Sequence, residues 1–154
     1  MSQPATLNPR IIEALYSHAL VLSDDVRHTF ALAIPAPAAR LEDDPVRVAL
    51  CAEGLRTTTR MMHAIAWLLN HRAYFRHEIT DLQRRRHARL CASLLHSERS
   101  QLALLDDATT DLIAATCALY TRLLRLDHAW RLASDGAASP IRHLQASIER
   151  RLAS

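Results

Sequence analysis

The stretch Asp44–Arg76, DPVRVALCAEGLRTTTRMMHAIAWLLNHRAYFR, decides how this chain is built. Asp44 offers a carboxylate to cap a helix, and Pro45 suits the first helical position, where its missing N–H is no loss. Val48, Cys51, Leu55, Thr58, Met62, Ile65 and Leu69 then recur at alternating steps of three and four, which at about 100° per residue gives one apolar seam. Leu50, Met61, Ala64 and Leu68 widen it on one side. About 32 residues of helix run on the order of 48 Å, long for one domain. The expectation is a central bundle helix with that seam in the core.

Composition agrees. The chain has 154 residues, enough for one domain that buries about two-thirds of its unfolded surface. Two glycines and few aromatics, beside much Ala, Leu and Arg, suit helices and leave little material for strands. All nineteen basic residues are arginine, which reads as the coding bias of a GC-rich bacterial genome. A net charge of +3 does not predict nucleic-acid binding without a concentrated patch. Cys51, Cys91 and Cys117 show no CxxC spacing, and Cys51 and Cys117 fall in helical seams, so a reduced, cytoplasmic setting is expected. The opening MSQPATLNPR lacks a basic-then-apolar signal pattern, and no apolar run approaches membrane-spanning length, so no membrane partner is expected.

On either side of the central helix the pattern continues. Residues 1–7 read as a loose leader. Asn8-Pro9 repeats the cap-then-proline start and opens a helix with Ile12, Leu15, Ala19, Leu22, Val26 and Phe30 on one seam. It should stop near Ala33, because Pro35 disfavours helical geometry just before it. Pro35 to Asp44 reads as a stiff, exposed connector whose Glu42-Asp43-Asp44 run faces the positive end of the next helix dipole. After the central helix, Thr80-x-x-Gln83 is a capping box that could start a helical piece through about Ser93. Between Glu78 and Leu105 an exposed, mobile, arginine-rich crossover is expected. A third principal helix starts near Asp106 or Asp107, carries Leu112, Thr116, Leu119, Leu123 and Leu126, and should end around Leu132. Pro140 onward puts Ile141, Leu144, Ile148 and Leu152 on one face of a marginal amphipathic helix. The fold class is therefore all-α: an antiparallel three-helix bundle over 1–132 with a short, flexible C-terminal helical tail over 133–154. Gly54, in mid-helix, costs about 1 kcal/mol in propensity, and close approach of a second helix, from this chain or another, is the economical reason.

Catalysis has no support. There is no Gly-rich phosphate loop, no Gly-x-Ser-x-Gly and no Walker motif, and Thr57, Thr58 and Thr59 point in three directions. Nine histidines invite a metal, but no Glu-x-x-His occurs, so neither catalytic, cofactor nor metal residues are assigned. Arg84, Arg85, Arg86 and Arg89 belong to a run from Arg72 to Arg89 whose six arginines outweigh Glu78 and Asp81 by +4. Without interleaved aromatics, that run favours a solvated segment or an acidic protein surface over nucleic acid. On the central helix, away from the seam, Arg56, Arg60, His63, Trp67, His71 and Tyr74 fall within about 80° of arc. A tryptophan among arginines and histidines has the make-up of a protein-contact hot spot. The alternative is that Trp67 packs on another helix while its polar neighbours rim it.

Arg56-x-Thr58-Thr59-Arg60-x-Met62, then Trp67-Leu68-Leu69 and Arg72-Ala73, resembles the regulator-of-CtrA-degradation family, the RcdA-like proteins of α-proteobacteria. The match runs in register back through Pro45 and Val48-Ala49-Leu50 and forward to Glu78-Ile79-Thr80, and returns more weakly to Arg125-Leu126-Asp127. The crossover departs from it. The resemblance implies a helical homodimer without enzymatic activity. It also implies an adaptor that helps deliver cell-cycle substrates, such as the response regulator CtrA, to the ClpX unfoldase and ClpP peptidase alongside a priming adaptor. The mechanism would be tethering, which raises local concentration without chemistry. Two rival readings stay open: a nucleic-acid-associated regulator using 84–89, and a structural helical dimer.

Overall fold

The computed structural model describes residues 8–32, 44–87 and 89–152. The leader 1–7 and the acidic connector 33–43, including the expected stop at Ala33, lie outside the described residues. Five α-helices follow in order: α1 Pro9–Leu32, α2 Pro45–Phe75, α3 Asp81–His87, α4 Arg99–Leu102 and α5 Asp107–Leu152, with a 3-10 turn over Ala92–Leu95. Among the described residues there is no strand, and no helix is long and apolar enough to cross a membrane.

The starts follow the local chemistry. Asn8 Oδ1 accepts from the Arg10 amide, and Asp44 Oδ1 accepts from the amides of Val46 at 3.0 Å and Arg47 at 3.3 Å. These side chains satisfy amide groups that have no partner inside the helix. The capping box is formed: the Thr80 amide donates to Gln83 Oε1 and the Gln83 amide returns to Thr80 Oγ1. The piece it opens is short, however, and ends at His87 rather than near Ser93.

On α1 the buried residues are Ile12, Leu15, Ala19, Leu22, Val26 and Phe30, the seam its spacing predicts. On α5, Ile113, Thr116, Leu119, Tyr120 and Leu123 are buried. α2 is different. Ala49, Gly54, Met61, Ala64, Trp67 and Leu68 face the core, while Val48, Leu55, Met62 and Leu69 stand 43%, 71%, 65% and 44% exposed. The expected core seam is thus turned to solvent, and the helix is buried through its other side. Gly54 does mark a close approach, and the neighbour is intrachain: a Cβ there would meet Phe30 Cδ1 of α1 at 2.9 Å.

Pairings fix the directions. Glu13 meets Arg72 and Phe30 meets Gly54, so α1 and α2 are antiparallel. Arg60 meets Thr116, Trp67 meets Asp127 and His71 meets Trp130, so paired numbers rise together and α2 and α5 are parallel. This corrects the antiparallel three-helix expectation. A parallel pair needs a connection that travels back the full length of the helix, and residues 76–106 supply it. Most described residues of the crossover are exposed, as expected, but it is anchored: Leu90, Leu94, Leu95 and Leu102 lie against the core and Leu105 is buried. α5 begins at Asp107 as expected, but its backbone stays helical through Asp135, Gly136 and Pro140 to Leu152, so the expected stop near Leu132 is not observed.

Candidate functional site

Two features of α2 stand out: the polar stripe beneath the crossover and the uncharged face opposite. The stripe is built by the backbone it covers. A crossover with little regular structure carries carbonyls and amides that no helix satisfies, and buried backbone groups must find partners. Arg60 Nε donates to the Leu94 carbonyl at 2.7 Å, and Asn70 Nδ2 donates to the Arg84 carbonyl at 2.8 Å. From α5, the Tyr120 hydroxyl accepts from the Cys91 amide and donates to the Cys91 carbonyl. Ser97 donates to Glu53 Oε2, and Arg56 donates to Gln101 Oε1. Crossover numbers rise from 84 to 101 as α2 numbers fall from 71 to the mid-fifties, so the segment runs antiparallel along the stripe.

The six candidate contact residues therefore separate. Arg60, Trp67 and His71 are buried, Arg56 and Tyr74 half-buried, and His63 alone is exposed. Trp67 packs on another helix, α5, and Arg60 and His71 are buried with it rather than rimming it, so these three are not presented at the surface. Trp67 Nε1 donates to Asp127 of α5 at 3.0 Å. Arg60 Nη1 donates to Thr116 at 2.8 Å, whereas Arg60 Nη2 and Thr57 Oγ1 have no hydrogen-bond partner among the described residues. Glu53 is wholly buried and held by Arg56 and Ser97.

At the far end of the stripe an aromatic box holds a cation. The Arg84 guanidinium carbon lies 4.0 Å from the Trp130 ring centre and 5.3 Å from that of Tyr74, with Phe75 stacked on Trp130. His71 packs at 3.8 Å from Trp67 and 4.7 Å from Trp130 between ring centres. Its Nδ1 sits 2.8 Å from the Trp67 carbonyl, which can only accept, so the proton is on Nδ1 and Nε2 faces Arg84 Nη1 at 3.4 Å. Burial lowers the His71 pKa to about 4, with the Arg84 charge pushing the same way against the Trp67 hydrogen bond.

Of the basic run, Arg84 is buried and paired with Asp81, Arg85 is exposed and shares Asp81, and Arg86 and Arg89 are exposed. Asp81 thus takes up half of the predicted patch. Among the described residues no three His, Cys, Asp or Glu side chains converge on a metal position.

The opposite face of α2 has a different character. Val48, Cys51, Ala52, Leu55, Thr58, Thr59, Met62, Ile65, Ala66 and Leu69 are exposed or half-buried, and none is charged. Beside it a groove of about 520 Å³ opens between α1 and α2, walled by Val26, Phe30, Leu55, Met61, Met62 and Ile65. Sequence reasoning found these residues but assigned them to the core. It missed Glu53, Thr57 and Trp130; Glu53 falls at helical spacing with Arg56 and Arg60, the one signal that could have placed it.

No curated protein and no solved structure matches the chain. A family model described as a protein of unknown function, DUF1465, covers residues 3–152, nearly the whole sequence, and the chain belongs to that family.

Proposed function

We propose that this chain is a non-enzymatic, homodimeric adaptor that acts in the cytoplasm by holding other proteins near one another. In the form implied by its resemblance to the RcdA-like proteins, it helps deliver a CtrA-like response regulator to a ClpX-type unfoldase and ClpP, with a priming adaptor. One observation supports the reading best: Glu53, Arg56, Arg60, Trp67 and His71 of α2 serve internal contacts, while the opposite side of α2 presents an uncharged strip and the crossover exposes Arg86 and Arg89. A tether needs two separate docking faces and no reactive pocket. The contact residues change accordingly: Arg86 and Arg89 replace the buried Arg60, Trp67 and His71.

The test is reconstituted proteolysis of a CtrA-like substrate by ClpX, ClpP and a priming adaptor. Adding the chain should speed degradation, and Arg86→Glu with Arg89→Glu should abolish the gain at unchanged helicity. Equal rates with and without the chain would overturn the reading. A nucleic-acid regulator would instead show affinity falling steeply with salt. With Arg84 and Arg85 engaged by Asp81, little such affinity is expected.

A further inference from the structure

Arg10, Ile11, Ala14, Leu15, His18 and Arg122 line an open cavity of about 240 Å³ between α1 and α5. Positions 10, 14 and 18 recur at steps of four, so α1 brings its guanidinium and its imidazole to one edge, and Arg122 meets them from α5. Half-buried Ile11 and buried Leu15 supply apolar walls. None of the six residues is a carboxylate. Glu13, close by in sequence, is bonded to Arg72 of α2 at 2.8 Å instead. Among the described residues neither Arg10 nor Arg122 forms an ion pair. Arg10 also stands in the first turn of α1, which holds no acidic residue. A cation there opposes the positive end of the helix dipole, and a second guanidinium facing the same cavity adds to the repulsion. Local electrostatics that oppose one another in this way are expected where something outside the chain compensates them.

We propose that this cavity binds a phosphate monoester. The ligand must be an anion, because all three polar side chains around the cavity can donate and neither guanidinium can accept. A dianion matches two fixed positive charges, and a monoester carries a charge of about −2 with three acceptor oxygens. Carboxylates and phosphodiesters carry a single charge and leave one guanidinium uncompensated. Arginine suits the task further, since its planar fork takes phosphate oxygens in pairs. The dipole of α1 attracts the same charge to the same end of the helix. The apolar walls decide between an ester and free phosphate. Ile11 and Leu15 offer surface to an organic substituent, and free phosphate has none to place there. The site shares no residue with the Arg86 and Arg89 pair and involves no protease, so it does not rest on the adaptor reading.

Titration of the full-length chain, followed through its backbone amide resonances, tests the proposal with phenyl phosphate as the probe. It should bind saturably at one site with a Kd of about 1 mM or tighter, moving the amides from Arg10 to His18 and those around Arg122. Inorganic phosphate, which lacks the apolar substituent, should bind at least about threefold more weakly. Acetate, with one charge, should bind at least about thirtyfold more weakly. Arg10→Gln and Arg122→Gln should each weaken phenyl phosphate at least about tenfold at unchanged helicity, because both side chains are exposed. Arg99→Gln, at an exposed position on α4, should leave the affinity as it was. Binding that never saturates, inorganic phosphate or acetate equal to phenyl phosphate, an affinity that either α1 or α5 variant leaves unchanged, or equal loss in the Arg99 control would each overturn it. The readout contains no protease, so its failure is distinct from failure of substrate delivery.

Discussion

His71 makes the chain's stability depend on pH at the scale of one residue. Its folded pKa of about 4 lies below the ordinary value of 6.5, so the folded state resists a proton that the unfolded state accepts. Stability contributed by neutral His71 is complete above pH 6.5 and is lost as pH falls from 6.5 towards 4. The full loss is on the order of 3 kcal/mol, of which about 1 kcal/mol is already gone at pH 5.5. Denaturant unfolding at pH 7 and pH 5.5 should show that difference, and His71→Phe, which keeps a ring between Trp67 and Trp130 without a titrating group, should remove most of it. An unchanged slope in the variant would place the pH dependence elsewhere. The charges that face His71 are Arg84, Asp127 and Arg131. Arg84 is held in place by Asp81 and the aromatic box, so it cannot readily withdraw when the imidazole is protonated.

At the scale of the element, the end of α2 has an identifiable cost. His77 sits at φ 60°, its amide donates to the Tyr74 carbonyl, and the Glu78 amide reaches the Ala73 carbonyl. A left-handed residue after a helix is the usual way to satisfy the last carbonyls, but a side chain there costs about 1 kcal/mol relative to glycine. His77→Gly should therefore raise the free energy of unfolding, measured by denaturant titration, by about 0.5–1 kcal/mol, and a loss would show that the histidine makes a contact worth more than the strain. How far each element was legible follows from similar local physics. On α1 the apolar residues repeat along one stripe, with only Leu20 and Val21 as large apolar side chains exposed off it, so Ile12 to Phe30 could be assigned directly. Starts at Asn8, Asp44 and Thr80 were legible because caps are local chemistry. α2 is apolar over too wide an arc for periodicity to choose a side. What settled the choice was the crossover, whose free carbonyls need Arg60 and Asn70 as donors, and no spacing within α2 announces that need. Of the candidate site, Trp67 and its neighbours were correctly singled out as unusual, but the reason is internal anchoring.

At the scale of the molecule, the parallel pairing of α2 and α5 makes the crossover structural. Antiparallel neighbours need only a short turn, whereas a parallel pair is held in register by whatever ties the return segment down. Three kinds of tie recur along α2: the aromatic box around Arg84, the Arg60 bond to the Leu94 carbonyl, and the Glu53–Ser97 and Arg56–Gln101 contacts. Arg60 is central because it also reaches Thr116, so one buried guanidinium joins α2, the crossover and α5. Arg60→Ala would leave the Leu94 carbonyl without this donor and should cost about 2–3 kcal/mol, the range for a lost charged hydrogen bond in the interior. The loss should be uneven. α1 and α2 bury their own seam through Ile12, Leu15, Ala64 and Leu68, and that seam does not pass through Arg60. Native-state hydrogen exchange should therefore show protection falling most at the amides of Leu94 and His96, which close the 3-10 turn, and least along α1. If protection instead falls equally in α1 and the crossover, the molecule opens as one unit, and the return segment is part of the same cooperative core as the helices it joins.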